Sequence, residues 1–159
     1  MNWDSVEAVV GSKAIDHMVV VPASASVAEA VELMADREIG AVLVMTEDGL
    51  VGGIFTERDL LTRVVRAGRD PKGTPISLVM TRDVCFVSPG TSLVAALSLM
   101  HVQHIRHLLV IDGPKVYGLV SIRDLVHQLV RHGAGRFEAA VRQAPGAGSD
   151  AATGGAGAA

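Results

Sequence analysis

Two short stretches carry a hydroxyl, an arginine and a carboxylate at matching spacing: Thr56-Glu-Arg-Asp59 and Ser121-Ile-Arg-Asp124. A carboxylate in such a place can accept two hydrogen bonds from the vicinal hydroxyls of a ribose, a role acids play in dinucleotide folds. A Thr or Ser hydroxyl one turn earlier shares its helical face. Arginine forks onto phosphate with paired hydrogen bonds, and a helix N-terminus offers free amides to phosphate oxygens. Short aliphatic side chains at neighbouring strand ends can sandwich a purine whose edge is read by backbone groups. The same residues also have a purely structural reading, because Thr-x-x-Asp is a capping pattern and an acid in the first turn suits the helix dipole. Capping requires neither an arginine directly before the Asp nor the glycine that precedes both motifs, Gly53 and Gly118. Their recurrence favours function.

The motifs close two copies of a longer unit. Val21, Ser26, Ala30, Leu33, Met34, Ile39 and Val44 return 66 positions later as Val87, Ser92, Ala96, Leu99, Met100, Ile105 and Val110. The offset falls to 65 between Asp59 and Asp124, so one residue is missing from the second hairpin. Met18 to Val21, stopped by Pro22, reads as a buried strand. Ser26 is a helix N-cap with Glu29 completing a capping box, Val27, Ala30, Val31 and Met34 follow at helical spacing, and Gly40 marks the stop. Ala41 to Met45 is a second strand, Glu47-Asp-Gly49 has hairpin chemistry, Val51 to Phe55 is a third strand, and Thr56 opens a helix reaching about Ala67. The second copy repeats this order at Cys85–Val87, Ser92–Val102, Leu108–Ile111, Val116–Val120 and Ser121–His132. The expected fold is therefore α/β (α+β), two β-α-β-β-α repeats packed about a pseudo-two-fold axis. Each unit has roughly 60 residues, a size at which a core is marginal alone, so the halves should share an interface.

These signals divide the chain into an N-terminal segment 1–13, a first repeat 14–70, a Pro/Gly-rich linker 71–76, a second repeat 77–134 and an extension 135–159. The extension is almost wholly Gly, Ala and Ser after Pro145 and is expected to be disordered from about 145. Hydrophobic residues are 49% of the chain but aromatics only 3%, which leaves no aromatic platform for single-stranded nucleic acid. The net charge of −3 gives no support for DNA binding. No apolar run approaches the roughly 18 residues of a membrane span, and Met-Asn-Trp-Asp-Ser is not a signal peptide, so a cytoplasmic protein is expected. The single cysteine, Cys85, reads as a small core residue. His101, His104 and His107 recur every third residue, but no nearby acid or cysteine completes a metal site, so none is expected. Glu57 and Asp59 diverge on a helix and do not make an acid–base pair. Arg63, Arg66 and Arg69 read as a solvated basic edge, and His127 and His132 need no special role.

The duplicated pattern ending in Gly-h-x-Thr/Ser-x-x-Asp resembles a tandem pair of cystathionine-β-synthase-type (CBS) domains, the Bateman module, over about residues 14–134. The resemblance implies a regulatory module that binds an adenosine compound such as AMP, ADP or ATP between the repeats and modulates a partner, with no catalysis and no required cofactor. Carried over by position, the first site would use Thr56 and Asp59 for the sugar and Ile54 and Phe55 beside the base, with Arg106, His107 and Arg123 facing the phosphates. The second would use Ser121 and Asp124, with Leu119 and Val120 beside the base and Arg58 as its cation. Gly40 and Ala41 stand there where the first site has Arg106 and His107, so phosphate-rich ligands should prefer the first site. Relatives often have a proline after the basic pair of the middle strand, where this chain has Leu108-Leu109, a departure that bears on the local bend near the base. The resemblance also implies a homodimer formed through the helices bearing Leu60, Leu61, Val64, Val65, Leu125, Val126, Leu129 and Val130. A ligand-free adaptor, and binding of S-adenosylmethionine or NAD instead, are the alternatives. A fragment related to inosine monophosphate dehydrogenase would be an enzyme, but neither its barrel nor its cysteine loop is present.

Overall fold

The computed structural model describes residues 3–12 and 18–143, and the side chains of residues 3–11 and 18–133 among them. The Gly/Ala-rich stretch from about 145, for which disorder was expected, lies outside the described residues. The elements run α1 (Val6–Ser12), β1 (Val20–Pro22), α2 (Val27–Asp36), β2 (Ala41–Met45), β3 (Val51–Thr56), α3 (Glu57–Asp59, continued as a π-helix over Leu60–Val65), β4 (Phe86–Val87), α4 (Leu93–Val102), β5 (His107–Asp112), β6 (Lys115–Ser121) and α5 (Ile122–Gln143). They build two three-stranded sheets, β1-β2-β3 and β4-β5-β6, each with a parallel pair followed by an antiparallel one. The fold is thus the duplicated β-α-β-β-α unit.

Local chemistry places these elements. Ser26 caps α2, its hydroxyl accepting from the Glu29 N–H at 3.2 Å while Glu29 Oε2 accepts from the Ser26 N–H at 2.7 Å. Ser92 caps α4 in the same way through the Ala95 N–H, also at 3.2 Å. Gly40 does not stop α2: the helix ends four residues earlier, and Glu38 takes the left-handed turn at φ 53°, matched by His104 at φ 52° after α4. The missing residue lies in the second hairpin turn. Both hairpins carry a bulge at the equivalent place, beside Val44/Met45 and Val110/Ile111. The first then turns through Glu47-Asp48-Gly49, with Gly49 at φ 76°, whereas the second turns through Gly113-Pro114 alone, with Gly113 at φ 54°. A left-handed glycine fits each of these tight turns.

Each half has its own apolar cluster, and each cluster borrows from the segment that precedes the other half. Val6, Val9 and Val10 of α1 pack into the second repeat with Leu93, Met100, Leu108 and Leu125. Ile76, Val79 and Met80, around the 3-10 turn Ile76–Leu78, pack into the first with Val27, Met34, Val42 and Phe55. The backbone follows suit: the Leu93 N–H donates to Asp4 O at 2.7 Å, and the Val27 N–H to Thr74 O at 2.9 Å. Neither cluster is complete within the segment boundaries drawn from sequence. The two leading segments share an apolar spacing, Val6-x-x-Val9-Val10 and Ile76-x-x-Val79-Met80; the short helical pattern over Ser5 to Val10 is observed as α1, Val6–Ser12.

Sequence and structure differ in the helices that follow the motifs. In α3 the Arg66 N–H reaches back five residues to Leu61 O at 3.0 Å, the mark of a π-helix. The Thr62 hydroxyl donates to Arg58 O at 2.7 Å, competing for a carbonyl that an α-helix would use. Of the eight apolar residues expected to face outward from α3 and α5, Val64 and Leu125 are fully buried, and Leu60 and Leu129 pack against the cores. Leu61, Val65, Val126 and Val130 are exposed.

Candidate functional site

Both motifs form the caps that their pattern allows. Asp59 Oδ2 accepts from the Thr56 N–H at 3.0 Å and from its hydroxyl at 2.8 Å. Asp124 Oδ2 accepts from the Ser121 N–H and hydroxyl, each at 2.7 Å. In return the Asp59 and Asp124 N–H groups donate to the cap hydroxyls at 3.2 Å. Beyond the caps the surroundings diverge. Asp59 is 6% exposed, and its Oδ1 accepts from the Thr81 hydroxyl at 3.0 Å and lies 3.4 Å from Arg63 Nε. Asp124 is half-buried and faces a cavity.

That cavity, of about 740 Å³, lies where the repeats meet. The second repeat contributes Leu119 and Ser121 at the end of β6, Ile122, Arg123 and Asp124 at the start of α5, and Arg106 and His107 at the start of β5. From the first come Met18 and Val19 before β1, Val31, Met34 and Ala35 of α2, Glu38, Ile39, Gly40 and Ala41, and Glu57 and Leu60 of α3. The volume suits a small organic ligand, and apolar walls surround a few convergent polar groups. Antiparallel pairing explains the convergence: His107 stands opposite Ser121 in the β5–β6 ladder, and the Ile122 N–H donates to Arg106 O at 2.9 Å.

The cations are therefore distributed differently from the expectation. Arg106, His107 and Arg123, carried over to the site of Thr56 and Asp59, line the cavity of Ser121 and Asp124. Gly40, Ala41 and Leu119 are also there. Thr56, Asp59, Ile54 and Arg58 do not line this cavity. Arg58 Nη1 instead donates to His104 O at 2.7 Å, tying the first motif to the end of α4. Phe55 and Val120, expected beside a base, are fully buried in the two cores. The cause is strand alternation, since neighbours on a strand face opposite ways and Ile54 and Leu119 take the other face. Ile54 is closed off by the leading segment of the second repeat, through reciprocal hydrogen bonds with Thr81 at 2.9 and 2.8 Å. β5 starts at His107 and pairs with β6 through Leu108 and Leu109 without interruption, at the place where the resemblance implied a proline.

Several side chains have roles that the sequence did not reveal. Arg63 is no solvated edge: Nη1 donates to Met80 O at 2.6 Å, and Nε meets Asp59. Its counterpart, Gln128, reaches Trp3 O at 3.3 Å. Trp3 and His132 stack with ring centroids 5.3 Å apart. The His101 and His104 rings meet edge to face at 6.5 Å, whereas His107 lies in the cavity wall. Among the described residues, no three histidine, cysteine or acidic side chains come together as metal ligands would. Cys85 is half-buried against the second core. No helix among the described residues is long and apolar enough to cross a membrane.

Comparison with known proteins gives the same frame. The family model for the CBS domain matches residues 9–66 and 76–131. The CBS domain-containing protein YhcV of Bacillus subtilis is 36% identical over 111 residues, 69% of this chain and 78% of that protein. A solved CBS-domain protein from Burkholderia ambifaria superposes with a TM-score of 0.73 at 35% identity, covering 80% of this chain and 94% of that one. A CBS domain protein from Pyrobaculum aerophilum, solved in complex with AMP, has a TM-score of 0.66 over 82% of this chain and 98% of its own, and at 22% identity the likeness is one of fold. The chain spans between 20% and 53% of the length of the first plant relatives it matches.

Proposed function

The chain belongs to the CBS-domain family, and from that premise we propose that it is a regulatory module that binds an adenine nucleotide (AMP, ADP or ATP) in the cavity between its repeats. One observation carries the proposal: a hydroxyl and a carboxylate, Ser121 and Asp124, line the same cavity as two arginines, Arg106 and Arg123. Asp124 would accept from the ribose hydroxyls and Leu119, Met18 and Val19 would flank the base, while Arg106, His107 and Arg123 would meet phosphate. The AMP complex of the Pyrobaculum aerophilum protein supports an adenosine ligand for this fold. Thr56 and Asp59 are then a structural pair, with Asp59 held by Thr81 and Arg63 as well as by Thr56.

The module acts by binding, not by catalysis. Because the cavity walls come from both repeats, a ligand that grips both favours one relative orientation of them. That change would pass to a regulated partner or to a second copy of the chain. Leu61 and Val65 on α3, with Val126 and Val130 on α5, are those of the eight expected apolar residues that stay outward for a homodimer.

Calorimetric titration with AMP, ADP, ATP and S-adenosylmethionine tests the proposal. Asp124→Asn keeps the shape of the cap and removes the charge, so it should weaken binding by about tenfold to a hundredfold, the worth of hydrogen bonds to a charged acceptor. Retained affinity in this variant would move the site elsewhere, and failure of every adenosine compound to bind would leave the ligand-free adaptor.

A further inference from the structure

The cavity holds its own charge filter, an inference that rests on the site proposed above. Glu57 is where the two motifs differ in charge, since Ile122 stands in its place in the second. Its Oε2 lies 3.6 Å from Arg106 Nη2, a contact from the first repeat to the second, and both side chains are more than half exposed. Glu57 passes close to Gly40, where an added Cβ would lie 3.2 Å from Glu57 Oε2 and 3.5 Å from His107 Cε1. Glu38 lines the same cavity, so the carboxylates of Glu38, Glu57 and Asp124 share it with the guanidiniums of Arg106 and Arg123. A phosphate approaching Arg106 meets a carboxylate already beside it. Every further phosphate brings more negative charge to a wall that already holds Glu38 and Glu57, and like charges at such range repel.

We infer that Glu57 is a specificity-determining residue: by competing for Arg106, it holds the cavity to adenosine ligands of low negative charge, a nucleoside monophosphate in preference to a triphosphate. Removing its charge frees Arg106 and removes a repulsion that grows with phosphate count. The base and ribose contacts, which lie with Leu119, Ser121 and Asp124, are untouched.

The test is calorimetric titration of the full chain and of Glu57→Gln with adenosine, AMP, ADP and ATP, at low salt and without divalent metal. Wild type should bind AMP more tightly than ATP. In Glu57→Gln adenosine affinity should stay within about twofold, AMP should tighten about threefold and ATP about tenfold, with the gains shrinking as salt rises. In an Arg106→Gln background the same substitution should give a smaller gain, because the competition runs through Arg106. An equal change for all four ligands, or a wild type that prefers ATP with an AMP-to-ATP ratio unmoved by the substitution, overturns the inference. If wild type binds AMP and Asp124→Asn abolishes it while Glu57→Gln leaves the phosphate dependence alone, only this inference falls. If wild type binds none of the four, the site itself falls with it.

Discussion

Asp59 and Asp124 occupy matching positions, and each accepts the same pair of bonds from its own cap residue. What surrounds them separates the two halves. Thr81 and Arg63 close over Asp59, while Asp124 lies in the wall of a cavity lined by both repeats. The residue at the Arg63 position in the second half is Gln128, uncharged and turned to the Trp3 carbonyl. A duplicated motif therefore guarantees a duplicated cap, not a duplicated site. The four-residue pattern sets the local hydrogen bonds, and residues remote in sequence decide what surrounds each carboxylate: Thr81 and Arg63 for Asp59, a cavity wall for Asp124.

The largest expected effects test how far the halves depend on each other. Ile76→Ala should cost about 2–5 kcal/mol, a large-to-small change at a fully buried site, although Ile76 leads into the second repeat and packs in the first. Denaturant unfolding should stay a single transition, because each core contains a segment that precedes the other half. Two separated transitions, with only one shifted, would break this picture. Asp59→Ala should come next, at about 2–4 kcal/mol, since it removes the acceptor of the Thr81 hydroxyl and of the Thr56 cap, and leaves Arg63 held only by the Met80 and Val79 carbonyls. Its nucleotide affinity, measured in the folded protein, should change little. Asp124→Ala should show the reverse, costing about 1 kcal/mol as a cap while losing ligand. A strong ligand defect in Asp59→Ala would return the site to the first motif.

How much of this was legible can be argued residue by residue. The strands, the Ser26 and Ser92 caps and the shortened second hairpin follow from local rules, because alternation, capping and turn chemistry act over a few residues. Ser121, Asp124, Leu119, Gly40 and Ala41 were placed in one set, and they do share one cavity. Arg106 and His107 were attached to the other set, but the antiparallel ladder seats them beside Ser121 in this cavity. Phe55 and Val120 were expected beside a base, and strand alternation sends their side chains to the core. The exchange of α1 and the Ile76 turn between halves was illegible, since a buried Val-x-x-Val or Ile-x-x-Val gives no hint of which core receives it. The π-helix was equally hidden, as helical spacing of apolar residues does not distinguish it from an α-helix.

A smaller substitution sharpens the contrast between the carboxylates. Gln128→Arg places a guanidinium four residues after Asp124, as Arg63 stands to Asp59. A pair at this spacing on a helix is worth a few tenths of a kcal/mol, so AMP affinity should fall about twofold, and by less at high salt. Unchanged affinity would mean that Arg63 matters to Asp59 only together with Thr81.

The smallest effect concerns the first helix of each repeat. The Glu29 carboxyl is lowered from its ordinary value because the Ser26 N–H and then the Ser26 hydroxyl donate to it, against a slight opposing effect of burial. α4 has Ser92 as its cap but Ala95 at the matching place, so its cap has no titrating partner. A carboxyl lowered by folding contributes stability that is present above its unfolded pKa and is lost as pH falls through the folded value. The capping box of α2 should therefore weaken on the acid side, whereas the cap of α4 should not respond there. Side-chain carboxyl titration by NMR should show Glu29 moving up towards its ordinary value in Ser26→Ala, and an unmoved titration would assign the shift to the helix dipole instead. Ala95→Glu should install the same acid-side response in the second repeat. Glu29 is fully exposed and screened by solvent, so its titration should register the difference between the two helices more clearly than any unfolding curve.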